Sequence, residues 1–146
     1  MMRWVFLLVV SLLFVKCTEI PDCQDTRSPI AQVRFYAAAD SSLLFVDFDS
    51  VFIDGSTTKL YEDTLLSQLN LRLNPMMDQS IYTFYADSTV HTLEISHESR
   101  IAIENPDCGP IQYFFALEPI ASSFDSVALI SSTADFRVDI NVEVYR

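Results

Sequence analysis

Glycine is nearly absent from this sequence, with only Gly55 and Gly109 among 146 residues. Loops that cradle phosphate groups need several glycines close together, so neither a dinucleotide-binding fingerprint nor a P-loop can be assembled. The sequence also lacks a G-x-S-x-G elbow, an H-E-x-x-H helix and paired C-x-x-C motifs, which are signatures of hydrolases and zinc sites. We therefore predict no nucleotide, no cofactor and no metal site from the motifs.

Basic residues are scarce as well: nine Lys and Arg residues stand against twenty Asp and Glu residues. Arg3 and Lys16 precede Cys17, so the chain from Cys17 onward carries seven basic and twenty acidic residues, a formal charge of −13. So negative a chain repels phosphate backbones and anionic lipid surfaces. Nucleic acid is therefore not an expected partner.

No apolar run is long enough to cross a membrane as a helix. Arg3 precedes an apolar stretch of eleven residues, 5–15, interrupted by Ser11 and closed by Lys16 and Cys17. A spanning helix needs about twenty such residues, so this stretch has the order and length of a secretion signal. Two interpretations stay open: a signal cleaved for soluble export, or a lipoprotein signal in which Cys17 becomes the lipidated first residue. Lys16 stands where a small residue is usual.

The lipoprotein interpretation divides the chain into a signal peptide (1–16), a tether (17–29) and a single domain (30–146). It also accounts for the odd number of cysteines, because lipid on Cys17 leaves Cys23 and Cys108 as the only pair able to form a disulfide. Such a bond would close 85 residues of chain and destabilise the unfolded state by about 4–5 kcal/mol.

The domain alternates between short runs rich in Val, Ile, Phe, Tyr and Thr and turn clusters rich in Asp, Ser, Asn and Pro. The last run, 136–145, has an apolar residue at every even position through Val144, which is typical of a strand with one buried face. Eight earlier runs share this composition: Gln32–Ala38, Leu44–Ile53, Leu69–Leu73, Ser80–Tyr85, Val90–Ser96, Ser99–Ile103, Ile111–Leu117 and Ser126–Ile130. We predict an all-β fold, an antiparallel sandwich of immunoglobulin-like or jelly-roll-like type with about eight strands.

The spacing of apolar and aromatic residues predicts one helix and the directions of three side chains on one strand. Lys59–Leu69 is the one helical candidate, since its leucines fall loosely at helical spacing, although its β-branched threonines weaken a helix. Tyr82 and Phe84 alternate along one strand and should share a face, with Tyr85 pointing to the other side of the sheet.

Asp47 and Asp49 are the candidate ligands for a cation. They alternate on one predicted strand and so share a face, about 6.6 Å apart along it. Two carboxylates placed in this way are suited to begin a Ca²⁺ site or to form an acid/base pair. The alternative is a solvated strand face whose charges discourage edge pairing.

The only histidines, His91 and His97, share parity with Leu93 and Ile95 on one strand candidate. Six residues of extended strand separate the two rings by about 20 Å, which is too far for both to bind one metal ion. We therefore expect them at the rim of the core face.

Five segments, in addition to the leader, occur in a characteristic order: Asp22–Cys23, Val33–Tyr36, Leu71–Pro75, Asn105–Gly109 and Ile140–Val144. Together they resemble a family of small uncharacterised lipoproteins from Bacteroidetes-type bacteria, over most of the chain after Cys17. The resemblance implies an envelope-anchored β domain with no assigned activity, with Cys17 as the lipid site and a Cys23–Cys108 bridge fixing the tether to a later strand. Thr18 follows Cys17 in place of the aspartate that retains some lipoproteins at the inner membrane, so analogy with other bacterial lipoproteins favours the outer membrane.

These observations favour a lipid-anchored, non-enzymatic binding or assembly module that docks another envelope protein or a glycan through a sheet face, a loop cluster or an edge. A second hypothesis is an envelope hydrolase acting on glycan or peptide. It would use Asp47 or Asp49 with a distant carboxylate or with His91 or His97, which requires those groups to converge in a pocket. A third is a structural envelope subunit, whose main sign would be an exposed, unpaired strand edge.

Overall fold

A computed structural model describes residues 30–103, 109–134 and 139–146. These residues form nine β-strands and no helix. The strands are β1 (Ile30–Tyr36), β2 (Val46–Ile53), β3 (Lys59–Leu66), β4 (Gln68–Arg72), β5 (Gln79–Ala86), β6 (Thr89–Ala102), β7 (Ile111–Ser122), β8 (Ser126–Leu129) and β9 (Val142–Tyr145).

The strands form two sheets. The four-stranded sheet has the order β4-β1-β9-β8, and the five-stranded sheet has the order β3-β2-β5-β6-β7. Neighbouring strands run antiparallel except β1 and β9, which are parallel. The predicted all-β sandwich is therefore confirmed, with nine strands in the described residues where about eight were expected.

The two sheets meet through an aromatic cluster. Phe35 of β1 lies 5.2 Å from Phe48 of β2 and 6.1 Å from Phe84 of β5, measured between ring centroids. Phe124, between β7 and β8, lies 5.9 Å from Phe35 and 5.4 Å from Phe84. Tilted and edge-on contacts at these distances are the favoured arrangements of aromatic pairs. Because all four rings are buried, truncating one of them to alanine would cost about 3–5 kcal/mol of stability.

β5 shows the predicted alternation of side chains. Tyr82 and Phe84 are fully buried, whereas Tyr85 is 40% exposed. On the outer face, the Tyr85 ring packs edge-on against Phe52 of β2 with 5.9 Å between centroids. Successive side chains of this strand therefore reach opposite faces of the sheet, as strand geometry requires.

The prediction of a helix over Lys59–Leu69 is wrong. β3 and the beginning of β4 occupy this segment. β3 pairs antiparallel with β2, which places Leu66 opposite Val46 and Glu62 opposite Ser50. So short a helix is marginal in water, whereas pairing with β2 satisfies backbone groups and lets Leu66 pack against the core.

β6 is one strand of 14 residues, although two runs, Val90–Ser96 and Ser99–Ile103, were expected. The register between β6 and β7 shifts between Ser96 and Glu98. One residue of β6 there faces two of β7, including Ala116, whose φ of 52° is typical of a β-bulge. The bulge accommodates the extra residue of β7, so β6 and β7 remain paired on both sides of it.

One end of the sandwich, here called the loop end, contains the β2–β3, β4–β5 and β6–β7 connections. Ile30, at the start of β1, pairs with Arg72 at the end of β4, and Gln79, at the start of β5, pairs with Ser96 near the end of β6. The β1 strand therefore begins at the same end at which β6 turns back into β7.

Candidate functional site

Asp47 and Asp49 are exposed on the outer face of β2. The register of β2 against β5 shifts between Phe48 and Ser50, so Asp49 is the extra residue of a bulge. Within the part of the chain that the structure describes, no three side chains of His, Cys, Asp or Glu converge to hold a metal ion. Because Ca²⁺ takes six to eight oxygen ligands, binding at this pair stays a prediction that needs further ligands.

The structure does not bring these aspartates and the histidines together. His97 is 2% exposed and His91 is half-buried, both on the inner face of β6. Asp47 and Asp49 lie on the opposite face of the same sheet. The convergence that the hydrolase hypothesis requires is therefore not formed by these four residues.

His91 has a packing environment at the rim of the core. Its ring stacks on Phe124, with 4.6 Å between centroids and 8° between planes. Its Nε2 lies 3.1 Å from Thr89 Oγ1, which itself donates to the Ala86 carbonyl at 2.6 Å. Because the threonine proton is used on Ala86, Nε2 of His91 carries the proton and donates to Thr89.

His97 is the buried histidine of the loop end. Its ring lies edge-on against Phe114 with 5.3 Å between centroids, and its Nε2 is 3.0 Å from Ser80 Oγ. Burial lowers the pKa of His97 from its ordinary value, and the negative charge of Asp78 opposes this decrease. The imidazole is therefore neutral at neutral pH.

Ser80 and Tyr82 make several hydrogen bonds beside His97. Ser80 Oγ accepts the Asn74 N–H at 2.8 Å, and Tyr82 Oη donates to the Arg72 carbonyl at 2.8 Å. Burial raises the pKa of Tyr82 far above its ordinary value, and a hydrogen bond from Ser80 opposes this increase. Ser80 Oγ can accept Nε2–H of His97 or donate its own proton to Nε2, so the 3.0 Å contact fits both tautomers of the ring.

In the tautomer with the proton on Nε2, Nδ1 of His97 carries a lone pair. The atom is buried and has no hydrogen-bond partner among the described residues. Buried polar atoms in folded proteins nearly always have a partner, so an unpartnered one calls for an explanation.

A cavity of about 360 Å³ opens beside His97, between the β4–β5 turn and the end of β6. Met76 and Met77 of that turn line it and are 87% and 54% exposed. Gln112 of β7 donates from Nε2 to the Pro75 carbonyl at 3.0 Å, which ties the turn to the β6–β7 hairpin.

The β6–β7 hairpin also carries an uncovered apolar surface, here called the overhang, formed by Ile101 and Ile103. Ile101 lies opposite Gln112, two residues from the buried Phe114, so it continues the inner face of the five-stranded sheet. The described residues leave both side chains uncovered, with Ile101 70% and Ile103 66% exposed.

Cys17, Cys23 and Cys108 lie outside the described residues, so lipidation and the disulfide stay predictions. The chain enters β1 at Ile30, and Ile103 is the last described residue before the segment that contains Cys108. Both positions belong to the loop end. The two segments that carry the proposed bridge therefore join the domain at the same end.

Comparison with known proteins finds no match: no protein-family model matches the sequence, and neither does any curated protein or solved structure. The resemblance to the lipoprotein family therefore stays a prediction. No helix within residues 30–103, 109–134 and 139–146 has the length and apolarity to span a membrane.

Sequence reasoning did not identify Ser80 as the partner of His97. The two residues are 17 positions apart and meet because β5 and β6 pair Ser80 with Ile95, which places His97 diagonally across from Ser80. The available signal was the parity that Ser80 shares with Tyr82 and that His97 shares with Ile95. These parities show which face each side chain occupies, but placing Ser80 beside His97 also requires the register between β5 and β6.

Proposed function

We propose that the protein is a non-enzymatic binding module of the cell envelope, anchored to the outer membrane by lipid on Cys17, that docks another envelope protein through the overhang. The observation that carries this proposal is the exposure of Ile101 (70%), which continues the core face of a sheet, and of Ile103 (66%), which follows directly after β6. An apolar sheet face is normally covered by a second layer, and exposed apolar surface marks interaction sites.

A protein partner is favoured over a glycan or a lipid surface. Ile101 and Ile103 are aliphatic and offer no aromatic face on which a sugar ring would stack. The formal charge of −13 from Cys17 onward repels anionic lipids and favours a partner with a basic rim around an apolar strand or loop.

The leader supports the anchor. The apolar stretch 5–15 followed by Cys17 has the order of a lipoprotein signal. A tether over 17–29 leads into β1 at Ile30, at the loop end, which is also the end that carries the overhang. The proposed partner is therefore expected near the membrane surface.

Site-specific photocrosslinking in intact cells of the source organism tests the docking surface. A photoreactive p-benzoylphenylalanine at position 101 should give one defined protein adduct, and Ile103→Asp should abolish that adduct because a buried charge is costly. Val90 is the matched control, since it is 55% exposed near the other end of the same strand. The probe at position 90 should give no such adduct.

Three results would contradict the docking proposal: no adduct from position 101, the same adduct from position 90, or an adduct with lipid in place of protein.

The anchor has its own test: Cys17→Ser should release the protein into the soluble fraction. Failure of that release would contradict the anchor without affecting the docking surface.

A further inference from the structure

Nδ1 of His97 is buried and has no hydrogen-bond partner among the described residues. Ser80 Oγ lies 3.0 Å from Nε2 of the same ring, so in the tautomer with the proton on Nε2 the imidazole is held in orientation and Nδ1 carries a lone pair. A buried polar atom without a partner destabilises the folded state. Metal-binding histidines are commonly held in this manner, with the second ring nitrogen donating to a neighbouring oxygen.

Two thioether groups share the cavity with this ring. Met76 is 87% exposed and Met77 is 54% exposed, both on the turn that forms one wall. The chain contains four methionines, and the other two, Met1 and Met2, lie in the leader. The domain thus has its only methionines beside the one imidazole nitrogen that is both buried and unpartnered among the described residues.

We propose that Nδ1 of His97 and the thioether sulfurs of Met76 and Met77 bind a copper(I) ion at the loop end. Thioether sulfur is a soft ligand that selects Cu(I), and imidazole also suits copper. Hard ions such as Ca²⁺ and Mg²⁺ prefer oxygen ligands instead.

The charges around the cavity suit a cation. Asp78 and Glu98 line the same cavity and supply negative potential near the proposed ion. All three proposed ligands are neutral, so binding displaces no proton and changes no oxidation state. The site goes beyond the docking function and does not rest on it, because neither Ile101 nor Ile103 contributes a ligand.

Binding is tested on the purified full chain with its free thiols alkylated in the absence of reductant, since thiolates also bind Cu(I). Cu(I) is supplied anaerobically as its acetonitrile complex, and affinity is measured by competition with a chromogenic Cu(I) chelator. Ag(I) serves as a redox-silent probe whose binding is followed by the methyl signals of ¹³C-labelled methionine. We expect one ion per chain and shifts of the signals from Met76 and Met77.

Three variants separate the proposed ligands from the rest of the chain. The double variant Met76→Leu, Met77→Leu keeps apolar bulk in an exposed turn and should weaken binding by at least about tenfold. His97→Gln should weaken it to a similar extent. His91→Gln is the matched control, because His91 has its own partner in Thr89, and it should bind as the unchanged protein does.

The methionine variant keeps the test decisive if His97→Gln fails to fold, because both methionine side chains are largely exposed. The proposal is overturned if the chelator removes all of the copper, or if the methionine variant binds as tightly as the unchanged protein. Retention of Zn²⁺ at least as tight as that of Cu(I) would also overturn it, since that preference indicates oxygen and nitrogen ligands in place of thioethers.

Discussion

His97 is neutral in the folded protein because its surroundings disfavour the charged form. The ring is 2% exposed and lies against Phe114. Burial lowers its pKa, and the negative charge of Asp78 only opposes this decrease. The unfolded chain has no such environment, so its histidine regains the ordinary pKa of about 6.5.

This difference predicts a pH dependence of stability. As the pH falls below about 6.5, the unfolded chain takes up a proton at His97 that the folded chain resists, so the free energy of unfolding decreases. One proton contributes at most about 1.4 kcal/mol per pH unit. Urea unfolding between about pH 7.5 and about pH 5.5 should show the decrease in the unchanged protein and a smaller one in His97→Gln.

His91→Gln is the control for this measurement, because the His91 ring stacks on Phe124 at the rim of the core, where it is half-buried. If His97→Gln keeps the full decrease, the loss of stability arises from other groups.

Asn141 illustrates a residue whose role was not predictable from alternation. As an odd position of the predicted strand 136–145 it was expected to face solvent, yet it is fully buried. Its Oδ1 accepts the Gln32 N–H at 2.9 Å, and its Nδ2 donates to the carbonyls of Ser131 and Thr133 at 3.2 and 2.8 Å. These partners come from β1 and the β8–β9 connection, which no periodicity in the 136–145 segment indicates.

At the scale of elements, Tyr61 protects an edge of the four-stranded sheet. Its Oη accepts the Asn70 N–H at 2.9 Å and donates to the Asn70 carbonyl at 3.2 Å. Asn70 belongs to β4, an edge strand, and a side chain of β3 in the other sheet thus occupies backbone groups on its free side. Unpaired edge groups are templates for association with another chain.

Replacing Tyr61 by phenylalanine should therefore have two effects. Tyr61→Phe removes both hydrogen bonds and should lower the free energy of unfolding by about 0.5–1.5 kcal/mol. It should also increase self-association, because the β4 edge becomes available. Urea unfolding measures the first effect and light scattering during size-exclusion chromatography measures the second.

Tyr85→Phe is the matched control, since Tyr85 lies on β5, a strand paired on both sides. That variant should stay as monodisperse as the unchanged protein. Equal association of the two variants would show that the Tyr61 hydroxyl does not protect the edge.

The elements differ in how well their sequences predicted them. β5 alternates cleanly, so its position and the directions of Tyr82 and Phe84 followed from composition and parity. β3 lacks such alternation because it is an edge strand with an irregular register, and its Leu65 is 62% exposed. The spacing of its leucines therefore resembled that of an amphipathic helix. The Ser80–His97 contact was beyond prediction because it depends on the β5–β6 register, which the turn sets.

At the scale of the whole molecule, the two segments that carry Cys23 and Cys108 join the domain at the loop end. Cys23 precedes Ile30 by seven residues, which can span at most about 25 Å. The described residues next to the segments that contain Cys23 and Cys108 are therefore placed in a way that is compatible with the predicted bridge.

We expect a Cys23–Cys108 disulfide in the mature protein, and Cys108→Ser should lower the free energy of unfolding by about 2–4 kcal/mol, because the bond restricts the unfolded chain. Mass spectrometry of non-reduced peptides detects the bond, and urea unfolding measures its contribution. Cys17→Ser serves as the control and should leave the bond intact. Finding both thiols free, or pairing through Cys17, would contradict the expectation.

The parallel pairing of β1 with β9 has a consequence for the order of assembly. Gln32 and Asn141, which join these two segments, are separated by 109 residues, so β1 keeps one open side until nearly the entire domain has been synthesised. Contacts of such long range form slowly. This delay leaves the four-stranded sheet incomplete during synthesis. If the chain is exported as proposed, the polypeptide can therefore pass through a translocation pore before β1 has paired with β9.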